Sequence, residues 1–516
     1  MKSAVPTFIR LKAHFSNWRE WELNPVVIKE LRQSVRSWAV TGMLLLFLAV
    51  LFCTAITFLV RQSFELGADQ RLGSTIFQIF TGILTGASLL FIPLYVGIRL
   101  AAERQDANLD LLYISTLTPE RIIRGKFLCG AYLIVLFFSA CMPFMAFTNL
   151  LRGVDLPTVA LILMYLFIVV CVAIQVAIFL ACLPISRLFK ILIALISFVM
   201  LVPIIGGLIA NFFMMMNSGV GSMMGGGRFW TSFAVGAFWV LAAVGLLYFL
   251  SVALISPPSA NRALPVRIYL TIVWVLGGLA AGFTVMRFPA ISAMKIWCAE
   301  TLVVMAFATV VVISNADQLS LRVRRKIPAG GWRRVLAFLF FNGAAGGLVW
   351  VGVITLVTFA LAAAASRLDK SSEFLIRGSA AICYGFAYAL TALFIQRKFF
   401  PRRPPKLAGV FGILLPGIWA LAPNIVLFFM NRLSLHSVEN SQLGNVFNVF
   451  MVRDPDQQWA HLICAAAWFA LVIALNAKWF SKQWREFRTL EKFPQSEPAR
   501  AAMPPPIPTT TSVLEG

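Results

Sequence analysis

The residues best placed to bind a partner lie in one charged segment, residues 99–126, RLAAERQDANLDLLYISTLTPERIIRGK. It separates two long apolar runs and is long enough for about seven helical turns, far more than a simple chain reversal needs. Its middle contains four apolar residues and two acids, namely Leu109, Leu111, Leu112, Ile114, Asp106 and Asp110. Exposed leucines are costly unless a membrane or a protein groove covers them. The segment therefore indicates docking of a soluble partner, with an ordinary interfacial loop as the alternative.

Other residues with potential chemistry form no catalytic pattern. Clustered thioethers could bind copper(I) in residues 212–229, although a flexible loop is the simpler interpretation because no Cys or His joins them. The methionines concerned are Met214, Met215, Met216, Met223 and Met224. Glu300 is the one acid in a predicted span, and Gln175 is interpreted as an interhelical hydrogen-bonding residue. We predict no metal site, no catalytic residue and no cofactor in this chain.

The composition indicates an all-α polytopic membrane protein. The 516 residues are 60% hydrophobic and 13% charged, whereas soluble domains carry about a quarter charged residues. The apolar runs are too long for barrel strands, so the spans should be helices. We predict twelve of them, at residues 38–60, 76–98, 127–149, 158–184, 191–213, 230–254, 268–286, 296–314, 335–364, 378–395, 407–429 and 459–479.

The basic residues predict the orientation. With the N-terminus inside, the inner segments carry 33 of the 44 Lys and Arg residues, as expected for cytoplasmic loops. Both termini are therefore expected in the cytoplasm. The protein itself is expected in the plasma (inner) membrane. This bias also explains the net charge of +23 without a nucleic-acid partner.

Five regions follow from this pattern. They are a basic lead-in (1–37), six spans (38–255), a Pro-bearing linker (256–267), six further spans (268–480) and a tail (481–516) that ends disordered. The largest basic loop follows the second span in each half, at 99–126 and at 315–334. This indicates either parallel repeats or independent addition of the later spans.

Two local patterns predict helices at the edges of the first spans. In residues 21–38, Asn24 and Pro25 suit a helix start, and polar and apolar residues alternate at helical spacing. We expect an amphipathic interfacial helix there, with Val27, Leu31, Val35 and Trp38 on its apolar face and Lys29, Glu30, Arg32, Gln33 and Arg36 on its polar sides. A generic membrane anchor is the alternative. Thr118-Pro119-Glu120 predicts a second helix start, continuing into the third span.

The two segments together resemble the membrane (permease) subunit of exporter-type ABC transporters, the second exporter class. NPVVIKELRQ at 24–33 is similar to that family's motif before the first span, and ERQDANLDLLYISTLTPERIIRGK at 103–126 is similar to its motif between spans two and three. Ala107 and Asn108 stand where the family usually has Gly-Thr, and Thr116 replaces a frequent Pro. The resemblance covers residues 20 to 255 and is only topological beyond Ser256.

The resemblance implies roles for the matching residues. The interfacial connecting helix would contain Asn24, Pro25, Lys29, Glu30 and Arg32. The coupling segment that docks on an ATPase subunit would contain Glu103, Arg104, Leu109, Asp110, Leu111, Leu112, Thr118, Ile122, Gly125 and Lys126. The chain has no Gly-x4-Gly-Lys-Ser/Thr phosphate loop, so ATP and Mg²⁺ would bind to the partner ATPase.

The expected function is that of an exporter permease driven by a separate ABC ATPase. The second permease unit would come either from duplication in this chain, from a homodimer or from another permease. Two alternatives remain open: a twelve-helix secondary transporter of the major facilitator type, and a non-transporting membrane scaffold or an enzyme acting on lipid-linked substrates. The cargo and the direction of transport do not follow from the sequence.

Overall fold

The computed structural model describes residues 25–64, 72–105, 118–150, 154–183, 207, 227–257, 259–287, 291–315, 317, 319–366, 373–430 and 442–488. In these ranges the ordered elements are α-helices, one 3₁₀ turn and their connections, with no strand. The chain divides into two compact units, Met1–Pro257 and Pro258–Gly516. The all-α fold predicted from composition is confirmed.

The first unit contains six described helices. They are α1 (Pro25–Val35), α2 (Trp38–Phe64), α3 (Leu72–Gln105), α4 (Pro119–Leu150), α5 (Leu156–Cys182) and α6 (Gly227–Ile255). The start of α4 at Pro119 confirms the helix start predicted at Thr118-Pro119-Glu120, and the Thr118 carbonyl accepts from the backbone N–H groups of Arg121 and Ile122.

Helices α3, α4 and α5 form the centre of the first unit. Their apolar core includes the fully buried Phe77, Phe137 and Ile174. A Cβ at Gly130 would lie only 2.9 Å from Cδ1 of Ile174, so the glycine lets α4 and α5 approach closely. Helix α1 packs on α4, which places it beside the two helix ends that border residues 106–117.

The second unit contains eight described helices and a 3₁₀ turn at Asn448–Phe450. The helices are α7 (Ala263–Arg287), α8 (Ile291–Ile313), α9 (Leu321–Arg324), α10 (Gly331–Phe340), α11 (Ala344–Ser366), α12 (Glu373–Phe399), α13 (Lys406–Phe429) and α14 (Pro455–Glu486). One buried cluster joins α8, α11, α12 and α13, and includes Ile313, Val351 and Ala392.

Eleven helices in the described ranges are long and apolar enough to cross a membrane. They correspond to eleven of the twelve predicted spans, and the remaining one, 191–213, falls outside the described residues except for residue 207. The chain is thus a multi-pass membrane protein by the length and composition of its helices. Cytoplasmic termini and the plasma membrane remain predictions.

The predicted span 335–364 is divided by a break at residues 341–343. Gly343 adopts φ +133°, a conformation that L side chains rarely adopt, so α10 ends before α11 begins. The guanidinium of Arg267 donates to the carbonyl oxygens of Leu339 (2.7 Å), Phe341 (2.6 Å) and Gly343 (3.1 Å). Carbonyls at a helix end need such partners, and hydropathy cannot reveal a break whose polar groups are satisfied by a distant arginine.

Candidate functional site

Three charged residues from the two family-like segments meet in the first unit. Glu30 lies on α1, Glu103 near the end of α3, and Lys126 in the second turn of α4. The Lys126 ammonium donates to Oε1 of Glu30 at 2.7 Å and to Oε1 of Glu103 at 2.8 Å. We call these three residues the charged cluster. It joins residues 96 and 23 positions apart in the sequence.

The charged cluster is buried on one side and open on the other. The side chains of Lys126 and Glu30 are 3% and 5% exposed, whereas that of Glu103 is 39% exposed. A buried ion is costly unless it is paired and hydrogen-bonded, so Glu30 and Lys126 depend on one another. Glu103 is partly solvated and adds a weaker contact at the rim.

A second layer of contacts fixes α1 against α4. The Ser34 hydroxyl donates to the Glu30 carbonyl oxygen at 2.8 Å and lies 3.2 Å from the Cys129 sulfur. Sequence analysis did not select Ser34 or Cys129. Their spacing offered a signal, because Ser34 is four residues after Glu30 and Cys129 three after Lys126, so each shares a helix face with its charged neighbour.

Helix α3 contacts α1 through Arg99. Its guanidinium donates to the Gln33 side-chain oxygen at 2.5 Å and to the Tyr95 hydroxyl at 2.7 Å. It also lies over the Tyr95 ring, 5.4 Å from the centroid. Helix α1 is therefore held by a side chain of α3 as well as by the charged cluster.

The face of α1 that packs on the protein includes an acid. Val27 is buried, and Glu30 is buried as well, although we expected it on a polar side. Lys126 supplies the charge partner that a buried carboxylate needs. Val35 in α1 and Trp38 at the start of α2 are 60% and 87% exposed, and contact of these side chains with the membrane interface stays a prediction.

The other predicted site residues are distributed as follows. Ile122 and Gly125 are buried on the first turns of α4, while Lys29, Arg32 and Thr118 are exposed. Pro25 and Arg104 lie in helices, but their side chains are outside the described part of the structure. The remaining predicted residues, Asn24, Leu109, Asp110, Leu111 and Leu112, also fall outside the described residues.

The charged cluster connects three helices through one ammonium group. Its single ammonium is shared by two carboxylates, so no free acid–base pair is present within it. Glu103 and Lys126 lie on α3 and α4, the helices that precede and follow residues 106–117, the centre of the predicted docking segment. The cluster therefore connects both of these helices to α1.

Metal and catalytic candidates gain no geometric support in the described ranges. Within those ranges, no group of three or more His, Cys, Asp or Glu residues could hold a metal ion. The methionines of the 212–229 loop lie outside the described residues. Asp454 caps α14, its carboxylate accepting from the Asp456 N–H at 3.2 Å, and His461 is buried against Tyr384.

Two polar groups within spans are buried without a hydrogen-bond partner among the described residues. Oε2 of Glu300 is buried and has no hydrogen-bond partner among the described residues. Gln175 is 1% exposed in α5, and its Nε2 is likewise without a partner in the described part of the chain. The interhelical hydrogen bond expected of Gln175 therefore does not appear at its side-chain nitrogen.

One acid outside the spans has a perturbed environment. Asp317, in the second unit, accepts a hydrogen bond from the indole N–H of Trp479 at 3.0 Å. Burial raises the pKa of the Asp317 carboxyl, and the Trp479 hydrogen bond and the nearby Arg397 charge oppose this only in part.

Comparison with protein-family models, curated proteins and solved structures finds no match to this chain.

Proposed function

We propose that this chain is the permease subunit of an ABC-type exporter, forming a transmembrane pathway that a separate ATPase drives. The observation that supports the proposal most directly is Lys126 bridging Glu30 and Glu103. The pairing connects the two family-like motifs, whose residues are far apart in sequence. A partner that displaced residues 106–117 would act on α1, α3 and α4 together.

The sequence supports ATP hydrolysis by a separate chain. Because no phosphate-binding loop is present, ATP and Mg²⁺ belong to the proposed ATPase partner. In this proposal the surface of this chain that binds the ATPase includes Asp110 and Leu112. Movement of the ATPase is passed to the span bundle through the charged cluster. Rocking of the helices would then expose the pathway to the outside of the plasma membrane.

The direct test is retention of an ATPase by the tagged full-length chain in mild detergent. We expect nucleotide hydrolysis and a soluble ATPase to co-purify with the unaltered protein. Asp110→Lys and Leu112→Glu should abolish both, because each changes the proposed docking surface. The matched control is Arg402→Glu, which reverses an exposed charge in the turn before α13 and should leave retention unchanged. No ATPase with the unaltered chain, or full retention by both docking variants, would contradict the proposal.

Glu300 favours a second candidate, a secondary transporter driven by an ion gradient. An acid within a span is a typical proton-coupling group, and the buried Oε2 of Glu300 has no hydrogen-bond partner in the part of the chain that the structure describes. Uptake or efflux by vesicles containing the purified chain separates the two candidates. Transport that survives ATP depletion, collapses with the proton gradient and is lost in Glu300→Gln would favour this alternative.

A further inference from the structure

Helix α10 of the second unit has an exposed apolar face. Trp332, Val335 and Leu336 are 68%, 46% and 43% exposed. They follow the i, i+3, i+4 spacing that places side chains on one side of a helix. A contiguous apolar face on a short helix is normally covered by a membrane or by a partner.

The opposite face of α10 is fixed to the end of α14. The Phe338 ring packs edge-on against the rings of Trp484 and Phe487, with centroids 5.1 and 5.3 Å away. The Arg334 guanidinium donates to the carbonyl oxygens of Phe487 (2.8 Å) and Trp484 (2.9 Å). The exposed face of α10 thus lies opposite the face that packs on the end of α14.

Exposed cations precede and flank this face. Arg322, Arg325 and Lys326 are exposed in α9 and the turn after it, and the Arg333 guanidinium lies 5.8 Å from the Trp332 ring centroid. The sequence contains no acid between Leu319 and Ser366. The local surface therefore combines positive charge with apolar side chains.

We propose that α9, α10 and the turn between them bind an anionic phospholipid, with the cations of residues 322–333 at its headgroup and Trp332, Val335 and Leu336 against its acyl region. Three residues after α10 the chain enters α11, a candidate membrane span, so α10 lies next to a span end. Tryptophan and arginine beside apolar side chains are typical of helices at a membrane interface. The cations would match the negative surface of a cytoplasmic leaflet, where the predicted orientation places them.

Photocrosslinking tests this site in the full-length chain without any ATPase, so its outcome is independent of the proposed exporter function. Leu336 is replaced by photoreactive p-benzoylphenylalanine, and the protein is reconstituted in vesicles of equal parts phosphatidylcholine and phosphatidylglycerol. Mass spectrometry then measures the ratio of phosphatidylglycerol to phosphatidylcholine adducts. We expect a ratio of at least about ten, because each basic residue near an anionic surface favours binding on the order of fivefold.

Charge variants separate a defined site from general attraction. Arg322→Gln, Arg325→Gln and Lys326→Gln together should lower the adduct ratio at least about fivefold, and Arg324 and Arg333 would account for any preference that remains. The control removes three exposed cations at the end of α12 and in the turn after it instead, by Lys398→Gln, Arg402→Gln and Arg403→Gln, and should retain most of the preference.

Three results would overturn the proposal. The first is an adduct ratio near one in the parent protein, and the second is an equal fall in both triple variants, which would indicate only diffuse attraction. The third is a protein adduct at position 336 when the crosslinking is repeated in native membranes, which would make α10 a docking face for a protein.

Discussion

Removing the ammonium of Lys126 should destabilise the first unit more than any other single change in the charged cluster. Lys126→Met removes the one cation that pairs with the buried Glu30 carboxylate (5% exposed) among the described residues. Breaking a buried ion pair on one side costs about 3–5 kcal/mol in unfolding free energy. For a unit of this size that corresponds to a fall in Tm on the order of 10 °C.

The matched variants distinguish burial of charge from loss of a contact. Glu103→Gln removes the partly solvated partner, whose side chain is 39% exposed, and should cost no more than about 1 kcal/mol. The double variant Glu30→Leu/Lys126→Met removes both buried charges and should recover most of the stability lost in Lys126→Met, because apolar replacements of a buried pair are often neutral.

The assay heats the purified full-length chain in mild detergent to a series of temperatures. Size-exclusion chromatography then measures the fraction that remains folded at each temperature, which gives the Tm. Two results would refute the reasoning. One is a Lys126→Met variant no less stable than Glu103→Gln. The other is a double variant whose loss equals the sum of its two single variants, because that additivity would mean that Glu30 and Lys126 do not interact.

Two further predictions concern the second unit. A Cβ at position 346 would overlap the backbone carbonyl oxygen of Phe338, so Gly346→Ala should lower the free energy of unfolding by at least about 2 kcal/mol. The control Gly352→Ala meets only ordinary contacts and should be neutral or stabilising. Thermal unfolding compares the two variants, and equal Tm values would contradict the prediction. Asp317→Asn should come closest to the parent in Tm at the lowest pH, below the ordinary Asp pKa of about 3.9, and become more stable than it as the pH rises. The folded state raises the Asp317 pKa, so ionisation of this carboxyl disfavours folding. A parent protein that gains stability relative to Asp317→Asn with rising pH would show the opposite sign.

Eleven long helices and most of their positions could be predicted from the sequence because the length of the apolar runs indicates them. The span at 38–60, for example, agrees with the candidate span Trp38–Val60. The start of α4 was equally clear, since Thr118, Pro119 and Glu120 each favour a helix start for a local reason. Local rules and composition suffice wherever no distant residue decides the outcome.

The charged cluster was only partly predictable. Glu30, Glu103 and Lys126 were each selected by resemblance, but their pairing depends on how α1, α3 and α4 pack. The helical pattern of residues 21–38 assigned Glu30 to a polar side because amphipathicity takes no account of a buried cation 96 residues away. Tertiary pairing therefore overrode the local pattern at Glu30.

The division between α10 and α11 was missed although the sequence marks it. Residues 335–364 are apolar on average, but Asn342-Gly343 is a dipeptide that favours a turn, and an average over the whole segment hides it. Asn342 accepts a hydrogen bond from the Ala263 N–H at 2.8 Å. The arginine that satisfies the carbonyls of the break comes from α7, and that contact leaves no signal in residues 335–364.

The break has a consequence for how this chain uses its apolar residues. The 23 residues of α11 extend about 34 Å, which is enough to traverse the hydrocarbon layer unaided. The ten residues of α10 are thus surplus to the crossing. In this protein the length of an apolar segment therefore overstates the number of its residues that are needed to cross the bilayer. The additional residues form a separate helix with a surface of its own.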